Sequence, residues 1–152
     1  MIIGVGTDLI ELKRVQKACE RESFLNRIFT EDEYREASGD HRRLAGNFAV
    51  KEAVSKALGT GFSAMAPKDI EVLRDERGKP FVRLYGKARA RACELGAERI
   101  VVSISDTAEL VLAFAVAEAG DGSGCIPPGT DIFAQSDIPG DHPGSDGEVR
   151  NE

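Results

Sequence analysis

Residues 43–62, RLAGNFAVKEAVSKALGTGF, set the strongest constraint on the fold. The run from about Leu44 to Leu58 consists of strong helix formers, with no proline and one interior glycine, and Gly59-Thr60-Gly61 closes it. Stepping about 100° per residue puts Ala45, Phe48, Ala49, Glu52 and Lys56 on one arc. Leu44, Val50, Ala53, Val54, Ala57 and Leu58 fill the other faces, so the helix is apolar almost all round and is expected to be buried. A carboxylate in the middle of such a helix needs a partner, or burial raises its pKa. Glu52, with Lys56 one turn on, reads either as an ordinary intrahelical pair of small energy or as part of a working site. The glycines after Leu58 read either as a helix C-cap or as bare backbone offered to phosphate.

Residues 2–10 read as a strand, with Ile3, Val5 and Thr7 on one face and Ile2, Gly4, Gly6 and Asp8 on the other. Glycines at 4 and 6 weaken a strand unless something must approach its backbone closely. They lead to Asp8, which reads as the N-cap of the next helix or as a metal ligand. A helix over 11–21 carries Arg14, Lys17 and Arg21 at i, i+3 and i+7 with Lys13 beside them. That basic stripe is either a solvated face or a dock for an acidic partner. Thr30 with Glu33 forms a capping box for a helix reaching Ser38-Gly39. Residues 69–74 and 81–84 form a hairpin around 75–80, and 86–95 is a basic amphipathic helix stopped by Gly96. Residues 99–106 and 110–117 are the most apolar strands and make a second hairpin. The order strand, three helices, hairpin, helix, hairpin predicts an α+β fold, a small antiparallel sheet packed with one long buried helix, not a doubly wound sheet.

A chain of 152 residues is enough for one domain with a real core. The net charge of −6 belongs to one end: residues 120–152 hold seven acids and one base, which leaves 19 of each sign in residues 1–119. That acidic segment also holds seven glycines and four prolines with few apolar groups, and is expected not to fold by itself. The boundary of the folded unit therefore falls near 119–120. A neutral body with few aromatics argues against nucleic-acid binding. No run approaches the ~18 apolar residues of a membrane span, and the N-terminus lacks the pattern of a signal peptide. Cys19, Cys93 and Cys125 are odd in number and outside any CxxC pattern, so neither a disulfide framework nor a zinc site is indicated. The expected compartment is a reducing cytoplasm.

GVGTDLIELKRV (4–15), RIFTEDE (27–33), AGNFAVKEAVSKALGTGF (45–62), GKP (78–80) and VSISDT (102–107) occur in this order and at these separations. Together they resemble holo-acyl-carrier-protein synthase, the small bacterial branch of the phosphopantetheinyl transferases. The resemblance implies transfer of phosphopantetheine from coenzyme A to a serine of an apo-acyl carrier protein, in support of fatty acid biosynthesis. It implies magnesium held by Asp8 and Glu52, with a metal-bound water or Glu52 itself as the base, and Lys56 neutralising the diphosphate. It further implies coenzyme A contacts from Gly59, Thr60 and Gly61, and from a Gly78-Lys79-Pro80 tip acting across a subunit boundary of a homotrimer. The carrier protein would dock on Lys13, Arg14, Lys17 and Arg21. Two positions depart from the commoner pattern: Asn47 stands where many members have arginine, which either weakens coenzyme A binding or shifts that work to Lys51 or Arg43, and Asp106 stands where many have histidine, which leaves no histidine there to act as a base. Two rival readings are a magnesium-dependent nucleotide hydrolase using the same residues and a non-catalytic adaptor binding an acidic protein through helix 11–21.

Overall fold

The computed structural model describes residues 1–120, so the acidic segment expected beyond them lies outside the described residues. The chain is α+β. Strand β1 (Ile2–Glu11) is followed by helices α1 (Leu12–Cys19), α2 (Glu22–Ile28), α3 (Glu31–Ala37) and α4 (His41–Ala57). Single 3-10 turns at Gly61–Ser63 and Pro67–Asp69 lead to a hairpin of β2 (Ile70–Arg74) and β3 (Pro80–Leu84). Helix α5 (Gly86–Glu94) then precedes β4 (Ala97–Asp106) and β5 (Leu110–Ala119). The main sheet is antiparallel in the order β1-β5-β4, and β2-β3 forms a separate two-stranded sheet.

Helix α4 is buried on nearly every side, as its sequence predicts. It lies on a bed of small side chains. Gly4, Gly6 and Asp8 of β1 register with Ala117, Ala115 and Ala113 of β5, all three alanines being fully buried. Ile100 and Val102 of β4 continue this inner face. The two glycines are required by the helix itself. A Cβ on Gly4 would stand 1.9 Å from the carbonyl oxygen of Ala57, and one on Gly6 the same distance from that of Ala53. The backbone that must approach the strand closely is that of α4. On the opposite face Val5, Leu9, Leu112 and Phe114 are exposed, a row of apolar side chains open to solvent in the single protomer.

The early helices differ from expectation. Strand β1 continues through Glu11, so Asp8 caps no helix, and α1 begins at Leu12. The helix expected over 11–21 breaks after Cys19, and α2 starts anew with Arg21 at its N-cap. Nothing in the local sequence marks that break. Packing decides it: Phe24 of α2 meets Phe29 edge-on at 6.2 Å and Phe48 of α4 at 6.0 Å. The capping box of Thr30 and Glu33 forms as expected. Cys19 is a buried free thiol whose pKa burial pushes up to about 11. Among the described residues no helix is long and apolar enough to cross a membrane.

Candidate active site

Helix α4 crosses β1 antiparallel, and the glycine contacts fix its height. Asp8, two residues past Gly6, is thereby brought to Glu52 and Lys56, the neighbours of Ala53 and Ala57 on α4. Lys56 does not pair with Glu52 along the helix. Its ammonium donates to Asp8 Oδ1 at 2.9 Å and to the Thr7 carbonyl at 2.9 Å. Glu52 is left as a half-buried carboxylate. Burial raises its pKa, the charge of Asp8 raises it further, and Lys56 lowers it. Two carboxylates thus influence each other beside one lysine, an arrangement that a bound cation would relieve.

Asp8 and Glu52 line a cavity of about 810 Å³ together with Arg14, Lys17, Arg21 and Arg27, and with the acids Glu11 and Glu20. The acidic pair and the basic stripe of the sequence therefore share one cavity. Lys13 is exposed on α1 and does not line it. Arg27 does, carried there by α2, a helix that the sequence pattern does not predict. Gly78 and Pro80 lie elsewhere, lining a smaller cavity of about 360 Å³ with Arg42, Arg43, Arg74 and Asp106. Within one protomer the hairpin tip and the carboxylate pair do not meet. Asp106 is engaged there by Arg42, whose Nε lies 3.2 Å from Oδ2 and whose Nη2 donates to the Thr107 carbonyl at 2.7 Å.

Two expectations for ligand contacts change, those at Lys51 and at Gly59-Thr60. Lys51 is fully buried, ion-paired to Glu33 at 2.8 Å, and donates to the carbonyls of Pro67 and Ile70. It cannot reach a ligand; burial lowers its pKa and raises that of Glu33, and each is pulled back toward its charged form by the other. Asn47 is also fully buried and donates to the Val72 carbonyl at 3.1 Å, so it has taken on no share of an arginine's ligand contact. Gly59, at φ +81°, closes α4 as a left-handed cap: its amide donates to Lys56 O at 2.9 Å and that of Thr60 to Ser55 O at 3.3 Å. Those two amides are spent on the helix end, which leaves Gly61 outside the cap.

The family model for the 4'-phosphopantetheinyl transferase superfamily matches residues 4–115. The chain belongs to this superfamily. A holo-[acyl-carrier-protein] synthase of Lachnoclostridium phytofermentans is 58% identical over 118 residues, covering 78% of this chain and 97% of that one. Among solved structures, the holo-[acyl-carrier-protein] synthase of Neisseria meningitidis is 38% identical with a TM-score of 0.71, covering 78% of this chain and 99% of that one. The synthase of Bacillus anthracis, solved in complex with CoA (3',5'-ADP), is 37% identical with a TM-score of 0.67, covering 79% and 99%. This phosphopantetheinyl transferase thus holds its matched region within the described residues, and the acidic segment lies beyond the match.

Proposed function

We propose that the chain transfers the phosphopantetheine group of coenzyme A to a serine hydroxyl of an apo-acyl carrier protein in a magnesium-dependent reaction, in the cytoplasm and in support of fatty acid biosynthesis. The supporting observation is the shared cavity, which the carboxylate pair of Asp8 and Glu52 lines together with Arg14, Lys17, Arg21 and Arg27. Asp8 and Glu52 fit magnesium, which favours oxygen ligands, keeps several waters and uses one or two carboxylates plus substrate phosphates. When bound, the ion stabilises negative charge developing on the diphosphate.

The chain's own groups supply the rest. The serine oxygen bonds to phosphorus as the diphosphate P–O bond breaks, and the nucleotide half leaves with the electron pair. Lys56, already at the carboxylate pair, offsets charge on the diphosphate. The serine proton passes to Glu52 or to water in the same cavity. Gly61 and the Gly78-Lys79-Pro80 tip contact coenzyme A, the tip from a neighbouring protomer, and the exposed row of Val5, Leu9, Leu112 and Phe114 is the surface a homotrimer would bury. Incubation with magnesium, coenzyme A and an apo-carrier protein, followed by intact mass, tests the reading. A phosphopantetheine-sized gain on the carrier is expected; free phosphate with an unmodified carrier would instead select a hydrolase.

The basic stripe makes a separate expectation. Reversing Arg14 and Arg21 to glutamate should raise the carrier KM about tenfold or more at low salt and leave the coenzyme A KM within about twofold. The effect should shrink as salt rises, since exposed charges are screened over about 8 Å at physiological ionic strength. A carrier KM unchanged at every salt concentration would remove this docking surface.

The transferase unit is proposed to end at residue 119. Truncation there should leave a cooperatively melting, active enzyme. The removed residues carry the same sign of charge as an acidic carrier, and as a tethered competitor they would raise its apparent KM. Truncation should therefore lower the carrier KM at low salt and change little at high salt. Aggregation or loss of cooperative melting would show that the boundary is wrong.

A further inference from the structure

Strand β2 has a strand neighbour on one side only, yet its other edge is not bare. A two-residue repeat presents the peptide groups of 70, 72 and 74 to that edge. Each is met by a side chain. Lys51 Nζ donates to the Ile70 carbonyl at 2.5 Å. The Val72 amide donates to Glu33 Oε1 at 3.1 Å, and the Val72 carbonyl accepts from Asn47 Nδ2 at 3.1 Å. The Arg74 amide donates to Glu36 Oε1 at 2.9 Å. Two residues of α3 and two of α4 thus stand in for a missing strand, and the Glu33–Lys51 ion pair ties the two helices together.

Covering an edge does not require this chemistry. A loop or another strand could satisfy the same peptide groups, and replacing a buried ion pair by apolar groups is often neutral or stabilising. Directional bonds add register. The orientation of these side chains favours the strand over their own satisfaction: Asn47 Oδ1 and Glu36 Oε2 are the buried side-chain atoms left without a partner among the described residues. The last rung, at Arg74, lies directly opposite Pro80, where the tip begins.

We propose that Glu33, Glu36, Asn47 and Lys51 are positioning residues that fix the β2–β3 hairpin against α4, and through it set how the Gly78-Lys79-Pro80 tip meets coenzyme A. The second half of this inference rests on the proposed function; the first half does not. Asn47→Leu removes the Val72 rung while keeping the volume roughly constant. Amide hydrogen exchange across 72–80 should quicken, and the KM for coenzyme A should rise about five- to tenfold, the scale of one lost buried hydrogen bond. The carrier KM should stay within about twofold. Glu33→Gln with Lys51→Met provides a second test that keeps an acceptor for Val72, and should show a smaller effect of the same kind. Ile100→Val, a core change remote from the ladder, should lower the melting temperature without moving the coenzyme A KM.

Unchanged exchange in the hairpin would overturn the ladder as a positioning device. Faster exchange with an unchanged coenzyme A KM, or with an equal rise in carrier KM, would overturn its link to the tip. If the unaltered protein shows no transfer at all, the proposed function fails, while the exchange experiment still decides whether the ladder holds the hairpin.

Discussion

Alanine at Asp8 or at Glu52 is expected to lower transfer by about a thousandfold or more at saturating magnesium, the scale of losing several kcal/mol of charge stabilisation in the transition state. The fold should survive both changes. Asp8 pairs with Lys56, which is half exposed, so removing the carboxylate leaves a solvated ammonium and costs little stability. Glu52 is held against its preference, because burial and Asp8 both raise its pKa. The sign for stability follows. The folded state binds the Glu52 proton more tightly than the unfolded chain does, so the ionised group opposes folding. That penalty is absent below the ordinary carboxylate range and complete above the raised pKa. Glu52→Gln should therefore raise the melting temperature of the metal-free protein at neutral pH, and the gain should vanish as the pH falls below the carboxylate range. Magnesium should raise the melting temperature of the unaltered protein and fail to do so for Glu52→Gln. Near-normal turnover by either alanine variant would remove these residues from the metal site.

Gly6→Ala is expected to be among the most damaging single methyl additions at the described residues. Its Cβ would stand 1.9 Å from the Ala53 carbonyl and 2.7 Å from the Ala57 amide, both backbone atoms of α4 that no rotamer change can move. The helix must lift from the sheet or the strand must bend, a cost at or above the ~3 kcal/mol upper range of overpacking. Because Asp8 and Glu52 flank this contact, activity should fall along with stability even where the protein remains folded. Gly46→Ala provides the contrast. A Cβ there would meet its nearest neighbour, Ile104 Cδ1, at an ordinary 3.6 Å, so alanine should be neutral or stabilise α4 by about 0.5–1 kcal/mol. Equal melting temperatures for the two variants would mean that the glycine contact does not set the height of the helix.

The residues of α4 and β1 carried much of this in the open. An apolar run with no polar face has to be buried wherever it packs, so the central helix and the discomfort of Glu52 were legible without coordinates. Gly4 and Gly6 announced a close approach because a strand gives up stability to hold glycine for nothing. The β2–β3 and β4–β5 hairpins and the capping box at Thr30 follow from period and turn chemistry, which are local. Partner choice is not local. The sequence offers Lys56 to Glu52 at i+4, but the crossing of α4 over β1 gives it Asp8, 48 residues away. The sequence lists Lys51 among exposed cations as readily as among buried ones. Only the packing of α3 and β2 around α4 places it inside, where an acid and two carbonyls satisfy it. Periodicity states which way a side chain leaves its own helix; what waits there is decided by how the elements pack.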